Sequence, residues 1–409
     1  MANKLKHKVI IASDFHHGSQ NFVNYINRLA KDNAITEKSS DKIKVYSTGD
    51  FAVYNANANA PSQIISEYAN LFQKASKPGI TKEEKEAINK KIKEEEPKVY
   101  KAQIPIQSEI SADMLQRVAK YIEGGKIKSA TGNSDVGVGS AMKKYAGRDV
   151  FDTFKETVDF ARAPKVEKQG ETSFVILPHD AEMVAKYKDK KYAEIKEALK
   201  QDSNYQANIK GIKANLQSQK SKYVNVLMHE SPKPENPAFG YSADVAKSRL
   251  PDALRAYYDA VVGEIAGSSK GKNIKVFHGH LHKPTSRYAY KTNTANYSNV
   301  QVYNLNIGDV VEFDTKTGSA KIKSTASYNQ GVAEASELSN YKKHESLDDF
   351  LKAKKGGLEA KAEGPKSAKG VENKVAEPDK DYKEPPKKDY KPKGDYKKWK
   401  KNLIIICQF

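Results

Sequence analysis

The stretch Phe-His-Gly-His-Leu-His at residues 277–282 decides how the rest of the chain is interpreted. It follows Asn273 to Val276, a short run that predicts a buried strand, and Pro284 ends regular structure just beyond it. Two imidazoles one residue apart at a strand end, beside a glycine, can turn toward one point. Imidazole nitrogen binds Zn, Mn, Fe and Ni. The stretch therefore indicates a metal site, although such a stretch alone is more often a solvated His-rich turn.

Four other apolar runs end in the same way. Each leads into a turn that carries Asp, Asn or His side chains. These turns are Asp14 to Gly18, Gly49-Asp50, Gly132 to Asp135, and His229-Glu230. The strands of an α/β fold present such side chains at the carboxyl edge of a sheet. Together, the five strand ends predict one shared pocket.

The order of these motifs resembles the calcineurin-like metallophosphoesterase superfamily over about residues 8–325. The matching patterns are Asp-x-His, Gly-Asp, Gly-Asn-x-Asp, His and Gly-His-x-His. The resemblance implies an α/β fold of four layers, an αββα sandwich in which two mixed sheets are flanked by helices. It also implies hydrolysis of phosphomonoesters or phosphodiesters by in-line attack of a metal-bridging hydroxide.

Seven motif residues are expected, from the resemblance, to hold two divalent metal ions. They are Asp14, His16, Asp50, Asn133, His229, His280 and His282. Asp14, His16 and His282 would share one ion. Asn133, His229 and His280 would share the other. Asp50 would bridge both ions, because a carboxylate offers two anionic oxygens. This mixed nitrogen and oxygen set suits Mn²⁺ first, with Fe, Zn or Ni as alternatives.

The chain departs from the family pattern at two positions. Many members carry Gly-Asp-x-x-Asp and Gly-Asn-His, and the extra Asp and His form a pair that protonates the leaving group. Here those positions are Val53 and Ser134. The catalytic candidates are therefore Asp50, Asn133 and, as a replacement proton donor, His17. Because His17 adjoins an expected ligand, support of that ligand or a surface position is its alternative role.

The fourth motif has a rival. Residues 172–177 predict another strand, which ends in Pro178-His179-Asp180, so His179 competes with His229 as a ligand. We favour His229 because the segment His-Glu-Ser-Pro at residues 229–232 is closer to the family's His-x-Pro loop. His179 and Asp180 then form a loop pair or a substrate contact.

Two segments are expected to be helical insertions in a catalytic domain that spans residues 1–329. The first, about residues 78–111, contains a Lys/Glu-dense run that predicts a solvated helix at one rim of the site. A separate amphipathic helix is predicted from Ala112 to Ile122. The second insertion, about residues 181–222, is polar and Lys/Gln-rich and is expected to cap the pocket.

The composition changes at about residue 330. Lys, Glu, Pro, Gly and Ala dominate from there, and Asp-Tyr-Lys recurs at Asp381, Asp389 and Asp395. Such a segment buries too little apolar surface to offset its ordering entropy, so residues 330–409 are expected to be a disordered Lys/Pro-rich tail. Its basic and aromatic residues suit contact with polyanions.

The charge and the cysteine content of this chain of 409 residues limit the partners and the compartment that we expect. It carries 70 Lys+Arg against 51 Asp+Glu, a formal net charge of +19, which favours polyanionic partners or else reflects a lysine-rich solvated surface. The single cysteine, Cys407, rules out an internal disulfide framework and favours the cytoplasm. No run approaches the ~20 apolar residues of a membrane span, and the apolar run after the basic start is too short for a signal peptide.

Three functions fit the sequence. The first is a phosphoesterase acting on a phosphate ester such as a nucleotide. The second is a nuclease or RNA/DNA-processing phosphodiesterase guided by the basic segments. The third is a non-catalytic interaction module on the same scaffold, against which the completeness of the seven ligand positions argues.

Overall fold

In this computed structural model the described residues are 5, 7–15, 19–52, 67–68, 70–71, 74–75, 79–232, 252–281, 286–291, 296–324 and 347–352. Among them are the following twelve strands and nine α-helices, besides shorter helical stretches such as residues 347–352. The strands are β1 Lys8–Ala12, β2 Lys44–Ser47, β3 Ile127–Ser129, β4 Val158–Phe160, β5 Lys165–Gln169, β6 Thr172–Ile176, β7 Tyr223–Leu227, β8 Asn273–His278, β9 Ser286–Lys291, β10 Asn296–Asn304, β11 Asp309–Asp314 and β12 Ala320–Ser324. The helices are α1 Gln20–Asp32, α2 Lys82–Lys98, α3 Ile104–Ala119, α4 Asn133–Ala146, α5 Val150–Phe154, α6 Ala181–Tyr187, α7 Tyr192–Leu199, α8 Ser203–Gln219 and α9 Asp252–Ser268.

The strands form two mixed sheets of six strands each. The first has the order β12-β11-β1-β2-β3-β4, and the second has the order β5-β6-β7-β8-β10-β9. In the first sheet β1 to β4 are parallel, and β11 returns antiparallel to β1. In the second, β6, β7, β8 and β10 are parallel, with antiparallel β5 and β9 at the edges. Within each sheet, the parallel strands deliver their following loops to one edge.

Three apolar cores show that the layers are stacked as helix, sheet, sheet, helix. On β1, Ile10 faces the core of the first sheet's helices, whereas Val9 and Ile11 face the core between the sheets. On β8, Val276 faces the helices of the second sheet, and Phe277 faces the other sheet. This alternation follows from the two-residue period of a strand. The expected αββα sandwich is confirmed.

The first expected insertion is only partly solvated. Helix α2 begins with a capping box between Thr81 and Glu84, and of its residues only Ile92 is buried. A π-helical turn, Val99–Gln103, then joins it to α3. Helix α3 begins at Ile104 rather than Ala112, and it is buried along most of its length. The prediction was wrong here because residues 104–111 include polar side chains that are nevertheless buried.

The second expected insertion is a layer of the fold. Helices α7 and α8 place an apolar stripe in the core of the second sheet and its helices. The stripe consists of Ile195, Leu199, Tyr205, Ile209, Ile212 and Leu216. Its members recur at helical spacing within a polar sequence, so the helices bury one face against α9 and the sheet. The expectation that residues 181–222 cap the pocket stays a prediction.

The expectation of a disordered tail from residue 330 does not hold at residues 347–352, which are helical. Leu347 is 3% exposed and belongs to the core between the first sheet and its helices, and Phe350 and Leu351 pack against that core. The rest of residues 330–409, including Cys407, lies outside the described residues. No described helix combines the length and apolar character needed to cross a bilayer.

Candidate metal centre

The loops that follow β1, β2 and β7 bring three polar side chains together at the carboxyl edges of the two sheets. Asp14, Asp50 and His229 each offer a ligand atom, and these three atoms lie within 4.8 Å of one another. All three residues are at most 1% exposed. Two carboxylates and an imidazole at this separation are a donor set that suits a divalent metal ion.

The backbone is unusual at three of the expected ligands. Asp14, Asp50 and His280 have φ angles of 57°, 64° and 65°, in the left-handed region that side chains other than glycine seldom adopt. Each such conformation costs of order 1–3 kcal/mol and persists only where the surroundings impose it. Strain at three convergent side chains is what a functional site shows, because it aims those side chains at one place.

Glycines allow these loops to approach one another closely. A Cβ atom added to Gly132 would collide with the carboxylate of Asp50, and one added to Gly279 would collide with Asp14 and Ser13. Gly49 has a φ of 114° and packs against the backbone of Gly132. The glycines in the Gly-Asp, Gly-Asn and Gly-His motifs are therefore required by contact between the loops.

The loop after β3 fixes the carboxylate of Asp50. The backbone N–H of Ser134 donates to Asp50 Oδ1 at 3.0 Å, and the Ser134 hydroxyl donates to Oδ2 at 3.0 Å. Ser134 thus holds both carboxylate oxygens of the expected bridging ligand.

Asp135 holds the backbone around Asp50, a role that sequence reasoning did not assign. Its carboxylate accepts hydrogen bonds from the backbone N–H groups of Asp50 at 2.9 Å, Phe51 at 2.6 Å and Gly132 at 2.9 Å. Burial, followed by the negative charge of Asp50, raises the pKa of Asp135 to about 7. The motif Gly-Asn-x-Asp was the available signal, but two of the partners of Asp135, Asp50 and Phe51, lie 85 and 84 residues away in sequence.

Asp14 lies next to His280 and Asn133, two of the residues expected to bind the second ion. Ser13 donates to Asp14 Oδ2 at 2.6 Å, and the backbone N–H of His280 donates to Asp14 Oδ1 at 3.1 Å. His280 Nδ1 lies 3.0 Å from Asn133 Oδ1. The ring of His280 is perpendicular to that of His229, with 5.3 Å between the centroids. The structure therefore brings five of the seven expected ligands into one region.

His229 tests whether a metal ion fits these residues. Its Nε2 lies 3.0 Å from Asp50 Oδ2, but among the described residues neither ring nitrogen has a hydrogen-bond partner of acceptable geometry. Burial would lower the pKa of His229, but the charges of Asp50 and Asp14 outweigh it and raise the pKa to about 10. A buried imidazole with no directional partner beside two carboxylates fits a bound cation, which would take the place of the imidazole proton.

His179 lies in a separate arrangement. Its Nδ1 is 2.5 Å from Glu230 Oε1, and the hydroxyl of Tyr258 is 3.2 Å from Glu230 Oε2. Burial opposes the ionisation of both partners, but the attraction between them outweighs it. This attraction raises the pKa of His179 and lowers the pKa of Glu230 to about 2. His229, not His179, is therefore the histidine beside Asp14 and Asp50. Sequence reasoning missed Glu230 and Tyr258.

Three predicted site residues lie outside the described residues. They are His16, His17 and His282. Their assignments, as two metal ligands and a proton donor, remain predictions, as does the consequence of Val53.

The chain is similar to a solved structure of PhoD, with 11% sequence identity and a TM-score of 0.39, over 78% of this chain and 68% of that chain. No family model and no curated protein matches the sequence. A similarity this distant assigns neither a family nor an activity, so the site itself must support any function.

Proposed function

We propose that this chain is a metal-dependent phosphoesterase with a dinuclear centre, which hydrolyses phosphomonoesters or phosphodiesters. The observation that carries the proposal is the meeting of Asp14, Asp50 and His229 within 4.8 Å at the carboxyl edges of both sheets. The order of the sequence motifs supports it, because the same five strand ends supply these side chains and their neighbours Asn133 and His280.

The expected ligands divide into two groups around Asp50. Asp14, with His16 and His282, would hold one ion. Asn133, His229 and His280 would hold the other. We propose Mn²⁺ as the ion, with Fe, Zn and Ni as alternatives that suit the same nitrogen and oxygen donors. When bound, two such ions would neutralise charge on the phosphoryl oxygens and lower the pKa of water.

Neighbouring residues hold this donor set in place. Ser134 fixes both oxygens of Asp50, Asp135 fixes its backbone, and Ser13 fixes Asp14. The supporting bonds are short and buried, so the carboxylates need little reorganisation when a substrate arrives. Preorganisation of this kind is the main contribution that a protein makes to phosphoryl transfer.

The test compares Asp50→Asn with wild-type protein after both have been stripped of metal and reloaded with Mn²⁺. We expect the wild type to bind Mn²⁺, measured by calorimetry and elemental analysis, and to hydrolyse bis-p-nitrophenyl phosphate. Asp50→Asn should lose hydrolysis and bind Mn²⁺ more weakly. Asp189→Asn, an exposed carboxylate on the loop before α7, is the matched control and should behave as wild type. Unchanged hydrolysis in Asp50→Asn contradicts the assignment of the bridge, and a protein that binds no divalent ion leaves only the non-catalytic module.

A second candidate function is cleavage of nucleic acid, favoured by the net charge of +19. The basic tail that would guide such a substrate lies outside the described residues. Removal of residues 353–409 retains the buried Leu347 and is therefore the suitable truncation. Salt-dependent binding of RNA or DNA that is lost on truncation supports this candidate, whereas equal binding before and after truncation argues against tail guidance.

A further inference from the structure

His179 is held at the edge of the metal centre by a buried carboxylate. Glu230, which is 1% exposed, contacts His179 Nδ1 with one oxygen and the Tyr258 hydroxyl with the other. That hydroxyl also lies 3.2 Å from the carbonyl oxygen of Pro178, the residue before His179. The ring orientation of His179 is therefore fixed, and a carboxylate on Nδ1 favours the protonated imidazole.

The position of His179 places it between two of the ligand loops. Strand β6 pairs with β7, so His179 follows the strand beside the one that leads to His229. The backbone N–H of His179 donates to Thr131 Oγ1 at 2.9 Å, two residues before Asn133. The side chain is 11% exposed, and among the described residues its Nε2 has no hydrogen-bond partner. One nitrogen is anchored and the other remains available to a bound molecule.

Hydrolysis of a phosphate ester of an aliphatic alcohol requires a proton donor beside the leaving oxygen. An alcohol leaves as an unstable alkoxide unless an acid protonates its oxygen as the bond breaks. Ser134, which contacts both oxygens of Asp50, is one candidate for this donor. Its hydroxyl donates a hydrogen bond to Asp50 and is a weak acid, so it is unsuited to protonate the leaving group.

We propose that His179 is the catalytic residue that protonates the leaving group, and that Glu230 is its positioning residue; this rests on the proposed phosphoesterase function. The phosphorus–oxygen ester bond breaks, and its electron pair goes to the ester oxygen, which takes the proton from Nε2. Water supplies the oxygen of the new phosphorus–oxygen bond, and a proton released by that water restores the imidazolium. The substrates that need such a donor are esters of aliphatic alcohols, including sugar hydroxyls.

The test is a series of phosphate esters with progressively poorer leaving groups: p-nitrophenol, phenol and an aliphatic alcohol. It uses the monoester or the diester series, whichever the wild-type protein hydrolyses. We expect His179→Gln to lower kcat on the aliphatic ester by about 100-fold or more. The fold-loss in kcat on the p-nitrophenyl ester should be smaller than this by a factor of about ten or more. Asp50→Asn is the matched comparison, because loss of a metal ligand should lower all three rates alike. Mn²⁺ content of His179→Gln should equal that of wild type.

Glu230→Gln should reproduce the leaving-group dependence of His179→Gln to a smaller extent, with KM little changed. If His179→Gln is poorly folded, His179→Ala with added imidazole serves instead, and imidazole should restore hydrolysis of the aliphatic ester. Equal losses across the ester series, or no restoration by imidazole in a folded variant, overturn the assignment while leaving the phosphoesterase intact. A wild-type protein that hydrolyses none of the esters overturns the proposed function itself.

Discussion

Two clusters of polar side chains join the first sheet to the second, and they hold their carboxylates with different kinds of group. On β5, Glu167 accepts from Lys128 at 2.6 Å, pairs with Lys165 at 2.6 Å, and accepts from the Tyr46 hydroxyl at 3.0 Å. Burial would raise the pKa of Glu167, but the two lysines outweigh it and lower the pKa. Every oxygen in this cluster is compensated by the protein.

At the metal centre the carboxylates are held by other kinds of group. Asp135 accepts from the backbone N–H groups of Asp50 and Phe51, and Asp50 accepts from Ser134. Ser13 donates to Asp14, His229 lies beside Asp50, and both Asp14 and Asp50 have left-handed backbone conformations. The Glu167 cluster shows that this fold can neutralise a buried carboxylate when its role is structural. At the metal centre, Asp14, Asp50 and His229 instead bring their ligand atoms within 4.8 Å of one another, an arrangement that suits a cationic ligand.

The largest expected effect comes from filling the space between the ligand loops. Gly279→Ala places a methyl group against Asp14 and Ser13, so the carboxylate must move. We expect Mn²⁺ affinity and hydrolysis to fall by about 100-fold. Calorimetry with Mn²⁺ measures the first, and release of p-nitrophenol measures the second.

Gly211→Ala is the matched control, because a Cβ at this helical glycine meets nothing within 4 Å. It should leave both quantities unchanged. Wild-type affinity in Gly279→Ala would show that the close approach of the loops is not needed for the site.

A smaller effect is expected from Ser134→Ala, which removes one of the two bonds to Asp50 and keeps the backbone bond. Outer support of a ligand of this kind contributes about tenfold in metal affinity. Titration with Mn²⁺ should show that loss. Ser140→Ala, two turns along α4, removes only a bond to the carbonyl oxygen of Val136 and should bind as wild type. Identical affinities in both variants would separate Ser134 from the metal centre.

The smallest effect is expected at the Glu167 cluster, where a substitution should change stability rather than metal binding. Glu167→Gln leaves Lys128 and Lys165 without their carboxylate, and we expect the free energy of unfolding to fall by about 1–2 kcal/mol, because the cluster is partly exposed to solvent. Urea denaturation measures this loss. Glu171→Gln breaks the exposed pair with Lys222 and should cost less, because solvent screens that pair. Mn²⁺ binding should be unchanged in both, and a change in Glu167→Gln would mean that the two clusters are coupled.

Glu167→Gln should also change how the stability of the protein depends on pH. Since the folded pKa of Glu167 lies below its ordinary value of 4.5, its contribution is fully present above pH 4.5 and is lost as the pH falls through the folded pKa. The difference in unfolding free energy between wild type and Glu167→Gln should therefore shrink on acidification. A difference that is constant down to strongly acid pH would show that the ion pairs contribute nothing.

The sequence predicted what depends on local pattern. Runs such as Tyr223–Leu227 and Asn273–His278 are apolar, short and followed by Gly, Asp or His, so strands, their ends and the αββα sandwich could be inferred. Helix α3 could not be placed, because Gln107, Ser108 and Glu109 look like a solvated face although they are buried. Contacts between distant segments carry no such local signal.

The site divides in the same way. His229 and the Gly-Asp and Gly-Asn motifs were recognisable from residue type and order. The bonds from Asp135 to the Asp50 loop and from Glu230 to His179 were not, because each joins loops that follow different strands. Only the packing of the sheets shows which loops become neighbours.

The return of β11 to the first sheet has a consequence for how the polypeptide is made. Strand β1 pairs with β11 along its whole length, from Lys8 opposite Asp314 to Ala12 opposite Val310, and Tyr25 on α1 donates to Glu312. During translation, one side of β1 therefore stays without its partner strand until some three hundred further residues have been added. The amino-terminal half cannot finish folding on the ribosome ahead of the carboxyl-terminal half, and any nascent chain halted before β11 exposes an open strand edge to its neighbours.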